Sequence, residues 1–335
     1  MSAEFIDVFF PSTSRLLRTT FPDAFDAIFP PELQRSCASP AYVLPIRWPS
    51  LVPLTLLGVG VGAFGLVQCR ADALKPRRPS TPALSLSFAF YSLMNFSALL
   101  AHCLLPREHF WQPILVALDI ASTACCSCSA LYGCRSRELE GALRWGSAQQ
   151  QRRSQRRQAL TLAAMNCLLC AAAFFGPRVP FLPELLYIGS ACIAAAVVGT
   201  YVRGRPTRGR QALWRALLFG GGALAGAGVP LDARLCAVAG PHINCVVVLF
   251  AGCHLIMFAL AMYVRDELRV SYDEPRVSYD DAAKAGGAAG RAGRDKGERG
   301  GPGAPGHGSG GGGAEARGAG SPQLAGDGAA RRRLN

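Results

Sequence analysis

Long apolar segments separated by short polar loops are the feature that most limits what this chain can fold into. A helix needs about 20 mainly apolar residues to cross the hydrocarbon core of a bilayer, and several segments reach that length. The sequence therefore predicts an all-α polytopic membrane protein with seven transmembrane helices, at Pro49–Cys69, Leu84–Leu105, Trp111–Cys134, Ala159–Phe175, Phe181–Val202, Ala212–Leu231 and Ile243–Val264.

The charges of the connecting loops predict the orientation of these helices. Every second loop is rich in arginine, whereas the loops between them contain one arginine each, at Arg107, Arg178 and Arg234. Cytoplasmic loops carry an excess of Lys and Arg, so this alternation places the C-terminus in the cytoplasm and the N-terminus outside or in the lumen. The rich loops contain Arg70, Lys75, Arg77 and Arg78; Arg135, Arg137, Arg144, Arg152, Arg153, Arg156 and Arg157; and Arg203, Arg205, Arg208 and Arg210.

The basic composition does not indicate a nucleic-acid-binding protein, although the formal net charge is +13. The excess lies in short loops beside apolar segments, where it faces the anionic leaflet of a membrane. The expected partners are the lipid bilayer and, for the basic loops and the tail, cytoplasmic proteins. The location is a membrane, either the plasma membrane or an internal one. Most of the 13 cysteines lie inside apolar segments, where Cys behaves as a small hydrophobic residue.

Composition divides the chain into a lumenal or extracellular segment at 1–47, a bundle at 48–265 and a disordered cytoplasmic tail at 266–335. Apolar residues in the first segment recur at loosely helical spacing, which fits either two short helices on the membrane surface or an irregular cap over the bundle. The tail is rich in Gly, Ala and Arg and cannot bury a core. It begins with a tandem repeat, RVSYDEP then RVSYDDA, which is either a partner-binding motif or a simple duplication.

Polar residues inside the apolar segments are the candidates for a site. On the second segment Ser92, Asn95 and His102 are spaced by three and seven residues, which predicts one helix face. The third segment carries Asp119 and Ser122. We take Ser92, Asn95, Ser122 and His254 as a polar core. The patterns Gly58-x-x-x-Gly62 and Gly222-x-x-x-Gly226 predict close helix contacts.

The expected depths of three of these residues suggest a meeting point in the outer leaflet. The second segment runs outward and ends near His102, the third runs inward through Asp119, and the last begins at His242. Two imidazoles and a carboxylate can bind zinc, which would activate a water molecule for hydrolysis. The alternative is that Asp119 pairs with His102 or Asn95 and simply holds helices together. No cofactor is expected under that alternative.

The order of these residues resembles the seven-helix membrane superfamily of alkaline ceramidases and progestin/adipoQ receptors. That family has a Ser and His late in its second helix, an Asp early in the third and His-x-x-x-His in the last. The matching residues here are Ser97, His102, Asp119 and His242, but Ser97 and His102 are five residues apart instead of four, and Val246 replaces the second His. The resemblance implies a zinc-dependent hydrolase of lipid amides or esters.

A second resemblance is to the transmembrane protein 187 group. It rests on SLMN at Ser92–Asn95 and on a final helix that begins near His242 and contains His254. This resemblance implies a multi-pass membrane protein and no particular chemistry. Three hypotheses for function therefore stay open, with enzymatic activity undecided: a structural or partner-binding membrane protein, a zinc-dependent lipid hydrolase, and a seven-helix ligand receptor.

Overall fold

The computed structural model describes residues 10–28, 46, 48–73, 80–143, 148–176, 178–205, 209–239, 243 and 245–273. Its regular elements are helices, as the composition predicts. Two of them contain π-helical turns: α4 is continued by Leu99–Leu104, and Leu185–Gly189 joins the two parts of α7. The helices are α1 (Pro11–Thr20), α2 (Pro22–Ile28), α3 (Leu51–Ala73), α4 (Ser80–Ala98), α5 (Gln112–Leu143), α6 (Ala148–Phe175), α7 (Leu182–Glu184 and Ser190–Arg203), α8 (Gln211–Ala239) and α9 (Cys245–Asp273).

Six helices within the described residues are long and apolar enough to cross a membrane, which supports a multi-pass membrane protein. They correspond to six of the predicted segments, with bounds Leu51–Arg70, Thr81–Leu104, Gln112–Arg137, Arg153–Phe175, Leu182–Arg203 and Cys245–Glu267. The remaining predicted segment, Ala212–Leu231, lies in α8 but is not among the six.

The helices pack around α4 and α9. Helix α4 lies between α3 and α5, and α9 contacts both α3 and α8. Helix α7 packs on α5, while α6 lies at the periphery and is the least buried of the six candidate spans. The largest apolar cluster includes Phe88, Tyr201, Leu260 and Tyr263, from α4, α7 and α9. This arrangement buries the polar residues of α4 and α5 against one another.

Glycines mark the two closest helix contacts, and only one predicted pattern identifies the correct residues. At Gly62 an added Cβ would lie 2.7 Å from the Phe88 carbonyl oxygen, and at Gly58 it would overlap the Asn95 side chain, so this pattern does face α4. The second pattern is wrong. Gly222 and Gly226 face open space, and the contact with α9 is made at Gly221, Ala225 and Gly228.

The N-terminal segment contains two short helices that cap one end of the bundle. Phe25 of α2 is buried in a cluster with Leu51, Leu99 and Cys245. The Glu184 carboxylate, at the start of α7, accepts hydrogen bonds from the backbone amides of Ser12 (2.8 Å) and Thr13 (3.3 Å). A carboxylate at this position satisfies free amides and complements the helix dipole. The segment is therefore both helical and a cap.

Replacing Glu184 by Gln is expected to loosen α1, because the neutral amide is a weaker acceptor for the two amides at its N-terminus. Loss of a helix cap costs about 0.5–2 kcal/mol, enough to raise the open population of the cap several-fold. Limited proteolysis of the purified protein should cut within residues 10–28 faster in Glu184→Gln. The control is Asp26→Asn, an exposed carboxylate of α2. Equal cleavage of both variants would contradict this role.

The sequence predicts the boundary between bundle and tail at 265/266. Helix α9 continues through Asp273, so it includes the first copy of the RVSYD repeat. Asp266 and Glu267 make contacts with other helices that are described below. The second copy and the rest of the predicted tail lie outside the described residues.

Candidate functional site

The two π-helical turns each place a polar residue inside the bundle. Leu99–Leu104 contains His102, and Leu185–Gly189 contains Tyr187. A π turn closes i→i+5 hydrogen bonds and is frequently found at functional sites. In α4 the wider turn rotates His102 relative to the residues before it.

This rotation separates residues that were predicted to share one face of α4. The Ser92 hydroxyl donates a 2.9 Å hydrogen bond to the Val59 carbonyl of α3. Asn95 also lies against α3, at Gly58. His102, in contrast, contacts α5. The prediction of a single polar stripe on α4 is therefore wrong, because it assumed an uninterrupted α-helix.

His102 and Asp119 form a buried pair, as one of the sequence-based alternatives predicts. The His102 Nε2 atom lies 3.3 Å from Asp119 Oδ2, and the two side chains are 10% and 2% exposed. The second carboxylate oxygen, Oδ1, is buried and has no hydrogen-bond partner among the described residues. One turn along α5, the Ser122 hydroxyl is also buried, again without a partner in the part of the chain that the structure describes. A carboxylate in this setting can accept at least one further hydrogen bond.

Tyr187 was missed by the sequence analysis. Its π turn packs on α5, the helix that carries Asp119. Tyr187 is partly exposed, whereas Asp119 is buried. Two prolines, Pro180 and Pro183, lie at the start of the segment that contains Tyr187. They were the only local indication in the sequence that the helix is irregular there.

A second polar cluster lies deeper, between α3, α4 and α9. The Tyr91 hydroxyl is 2.5 Å from His254 Nδ1, and the Asn95 amide donates a 2.9 Å hydrogen bond to the Tyr91 carbonyl. Gly58 of α3 leaves the space that the Asn95 and His254 side chains occupy. His254 is thus buried and pairs with a tyrosine of α4. We interpret this cluster as packing that fixes α9 against α4.

Two of the three predicted metal ligands, His102 and Asp119, are adjacent in the structure. The third, His242, lies outside the described residues. Within those residues no group of three or more His, Cys, Asp or Glu side chains is arranged to bind a metal ion. The pair alone is one ligand short of the zinc sites typical of hydrolases. The zinc site stays a prediction, and no catalytic step is derived from it.

The opposite end of the bundle contains a network of charged residues that we call the ionic hub. Glu267 of α9 forms an ion pair with the buried Arg137 of α5. The Tyr201 hydroxyl of α7 donates to both Glu267 carboxylate oxygens, at 2.8 and 2.9 Å. The Trp214 indole of α8 donates a 2.7 Å hydrogen bond to Asp266. The hub therefore connects α5, α7, α8 and α9 by polar contacts.

A scan against protein-family models found no match, and neither a search of curated proteins nor a search of solved structures found a similar chain.

Proposed function

We propose that this protein is a seven-helix ligand receptor that binds the polar head of an amphiphile at the His102–Asp119 pair. The observation that carries the proposal is the buried Oδ1 oxygen of Asp119, which has no hydrogen-bond partner among the described residues. A carboxylate within a membrane is costly, by about 2.5–3.5 kcal/mol on insertion scales, and an ionisable residue there is a functional-site hypothesis by default. Of the two carboxylate oxygens of Asp119, only Oδ2 is paired with His102.

The chemistry of the pair favours a head group that donates hydrogen bonds. An ionised carboxylate only accepts, so Asp119 suits an ammonium or hydroxyl group. Ser122 and Tyr187 can each donate or accept and would bind a second polar atom of the same head.

Helix α5, which carries Asp119, and helix α7, which carries Tyr187, both reach the ionic hub, which supports a receptor. Helix α5 carries Asp119 and Arg137, eighteen residues and about 27 Å apart along the axis. Helix α7 carries Tyr187 near one end and Tyr201 near the other. A ligand that shifts α5 against α7 at the site would also change the contacts of the hub. Partners of the basic loops and tail would then sense the bound state.

The proposal includes the predicted topology, with seven spans, an outer N-terminus and a cytoplasmic C-terminus. Helix α8 is 29 residues long and packs closely along α9, which supports counting it as the additional span. Arginines 137, 203, 205 and 215 gather near the hub, as expected for a cytoplasmic end.

A zinc-dependent hydrolase of lipid amides or esters is the second candidate. The pairing of His102 with Asp119 favours it, because both residues match positions of the ceramidase and progestin/adipoQ receptor superfamily that the sequence resembles. Residues five apart also lie closer to one face across a π turn than in an α-helix, which lessens the mismatch in spacing between Ser97 and His102. This candidate further requires His242 to join the pair.

Ligand binding is tested by thermal unfolding of the purified full chain in detergent, with a long-chain alkyl amine, the matching alcohol and the matching fatty acid as probes. We expect the amine and the alcohol to raise the unfolding temperature of the wild type and to have no effect on Asp119→Asn. Ser92→Ala, which removes a hydroxyl outside the pair, should respond like the wild type. An equal response of Asp119→Asn, or a response to none of the probes, would contradict the receptor.

Metal content distinguishes the two candidates in the same preparations. About one zinc ion per chain in the wild type, lost in both His102→Ala and Asp119→Ala, would favour the hydrolase. Lipid amides would then be the first substrates to assay. Wild-type protein without stoichiometric zinc, but with a response to the amine, would favour the receptor.

A further inference from the structure

Helix α6 presents an arginine-rich and apolar face that no other described helix covers. It packs on α5 and on the beginning of α7, and the rest of its surface is open. Arg153, Arg156 and Arg157 are exposed, and further along the helix Leu160 and Leu168 are 61% and 69% exposed. Spacings of three, four, seven and eight residues place all five on one side of the helix.

The position of the arginines relative to the leucines matches the two parts of a phospholipid. The three guanidinium groups lie within about 6 Å along the axis, at the end of the apolar stretch, where lipid head groups lie. Leu168 is about 16 Å deeper than Arg157, a distance over which an acyl chain can follow the helix. Among the described residues, no acidic side chain forms an ion pair with these arginines, so their charge is free for an external anion.

We propose that this face of α6 binds an anionic phospholipid, with its phosphates on Arg153, Arg156 and Arg157 and an acyl chain along Leu160 and Leu168. Arginine binds phosphate oxygens in a bidentate manner, which favours a head group with phosphate monoesters. Three cations on little more than one turn favour more than one phosphate, as in a phosphoinositide. An acidic protein would use the arginines but would not need the exposed leucines below them.

The test is native mass spectrometry of the full chain in detergent, titrated with phosphatidylinositol 4,5-bisphosphate or with phosphatidylcholine of the same acyl chains. Basic residues near a membrane surface each contribute appreciably to binding, so the triple variant Arg153→Gln/Arg156→Gln/Arg157→Gln should bind the phosphoinositide at least about tenfold more weakly. The matched control is Arg15→Gln/Arg178→Gln/Arg234→Gln, which removes the same charge from exposed arginines elsewhere. It should bind like the wild type.

Several outcomes would overturn the proposal. Equal loss in both triple variants would mean that net charge alone drives the binding. If phosphatidylcholine bound as tightly as the phosphoinositide, the phosphates would not be recognised. If soluble inositol 1,4,5-trisphosphate bound as tightly as the phosphoinositide, the acyl chain would not contribute. The variant Leu160→Gln/Leu168→Gln tests the apolar part of the site independently. It should weaken binding of the phosphoinositide but not binding of the soluble inositol phosphate. None of these results depends on the ligand proposed for Asp119.

Discussion

Replacing Glu267 by Ala is expected to lower the free energy of unfolding by about 3–5 kcal/mol, because it leaves the Arg137 guanidinium buried without its carboxylate. The Arg137 side chain is 3% exposed and that of Glu267 is 18% exposed. Removing one partner of a buried ion pair destabilises a protein strongly. Replacing both partners by apolar residues of similar size is often nearly neutral. The loss should therefore exceed that of an ordinary surface substitution several-fold.

The rest of the hub adds to this effect. The Tyr201 hydroxyl would lose both of its carboxylate acceptors, and Arg205, 3.8 Å from Glu267, would lose a weaker partner. Arg215 would keep its hydrogen bonds to the Val202 and Arg205 carbonyls, both 2.5 Å, because these are backbone groups. Trp214 of α8 would also keep its hydrogen bond to Asp266. We therefore expect α5 to separate from α9 at this end while α7 and α8 stay in place.

Unfolding in mixed detergent, followed by circular dichroism, measures the change. Arg203→Gln is the control, since its exposed side chain lies beside the hub, and its effect should stay within about 0.5 kcal/mol. The double variant Arg137→Met/Glu267→Leu should recover most of the loss, because it removes both charges together. A double variant as unstable as Glu267→Ala would show that the ion pair is not the source of the effect.

Six of the seven predicted spans correspond to candidate spans of the structure, because each one depends on a summed property, the apolarity of about 20 residues, which tolerates local exceptions. Asp119 was predicted for the opposite reason: a single carboxylate among apolar residues is so costly that it marks a special position. Its pairing with His102 was one of several alternatives that helix directions and depth left open. The contribution of Tyr187 could not be predicted in this way, because tyrosine is ordinary near membrane surfaces.

Other features depend on how side chains are rotated about a helix axis, which composition does not determine. A π turn has no distinct residue pattern, so the rotation of His102 away from Asn95 could not be foreseen from spacing. Two N-terminal helices were one of the two alternatives for the first segment, but their attachment through Glu184 joins residues far apart in the sequence. The three consecutive glycines of α8 show the same limit, because a run of identical residues does not reveal which of them faces the neighbouring helix.

The structure assigns different roles to neighbouring glycines of that run, and this leads to a second large expected effect. An added Cβ at Gly221 would lie 2.8 Å from the Gly252 carbonyl oxygen and 3.0 Å from the backbone nitrogen of Ile256. At Gly222 nothing lies within 4 Å. Backbone atoms cannot move aside as a side chain can, so Gly221→Ala must separate α8 from α9 along the length of their contact.

Gly221→Ala is therefore expected to destabilise the protein by about 1–3 kcal/mol, the usual cost of overpacking, and Gly221→Leu by more. Gly222→Ala should stabilise it by up to about 1 kcal/mol, because alanine favours the helix and meets open space. The same unfolding measurement compares Gly221→Ala with Gly222→Ala, which make the same substitution at adjacent positions. Equal destabilisation by both substitutions would contradict the packing described here, in which Gly221 and not Gly222 faces α9. Opposite signs would show that α8 packs on α9 through Gly221, as a span of the bundle does.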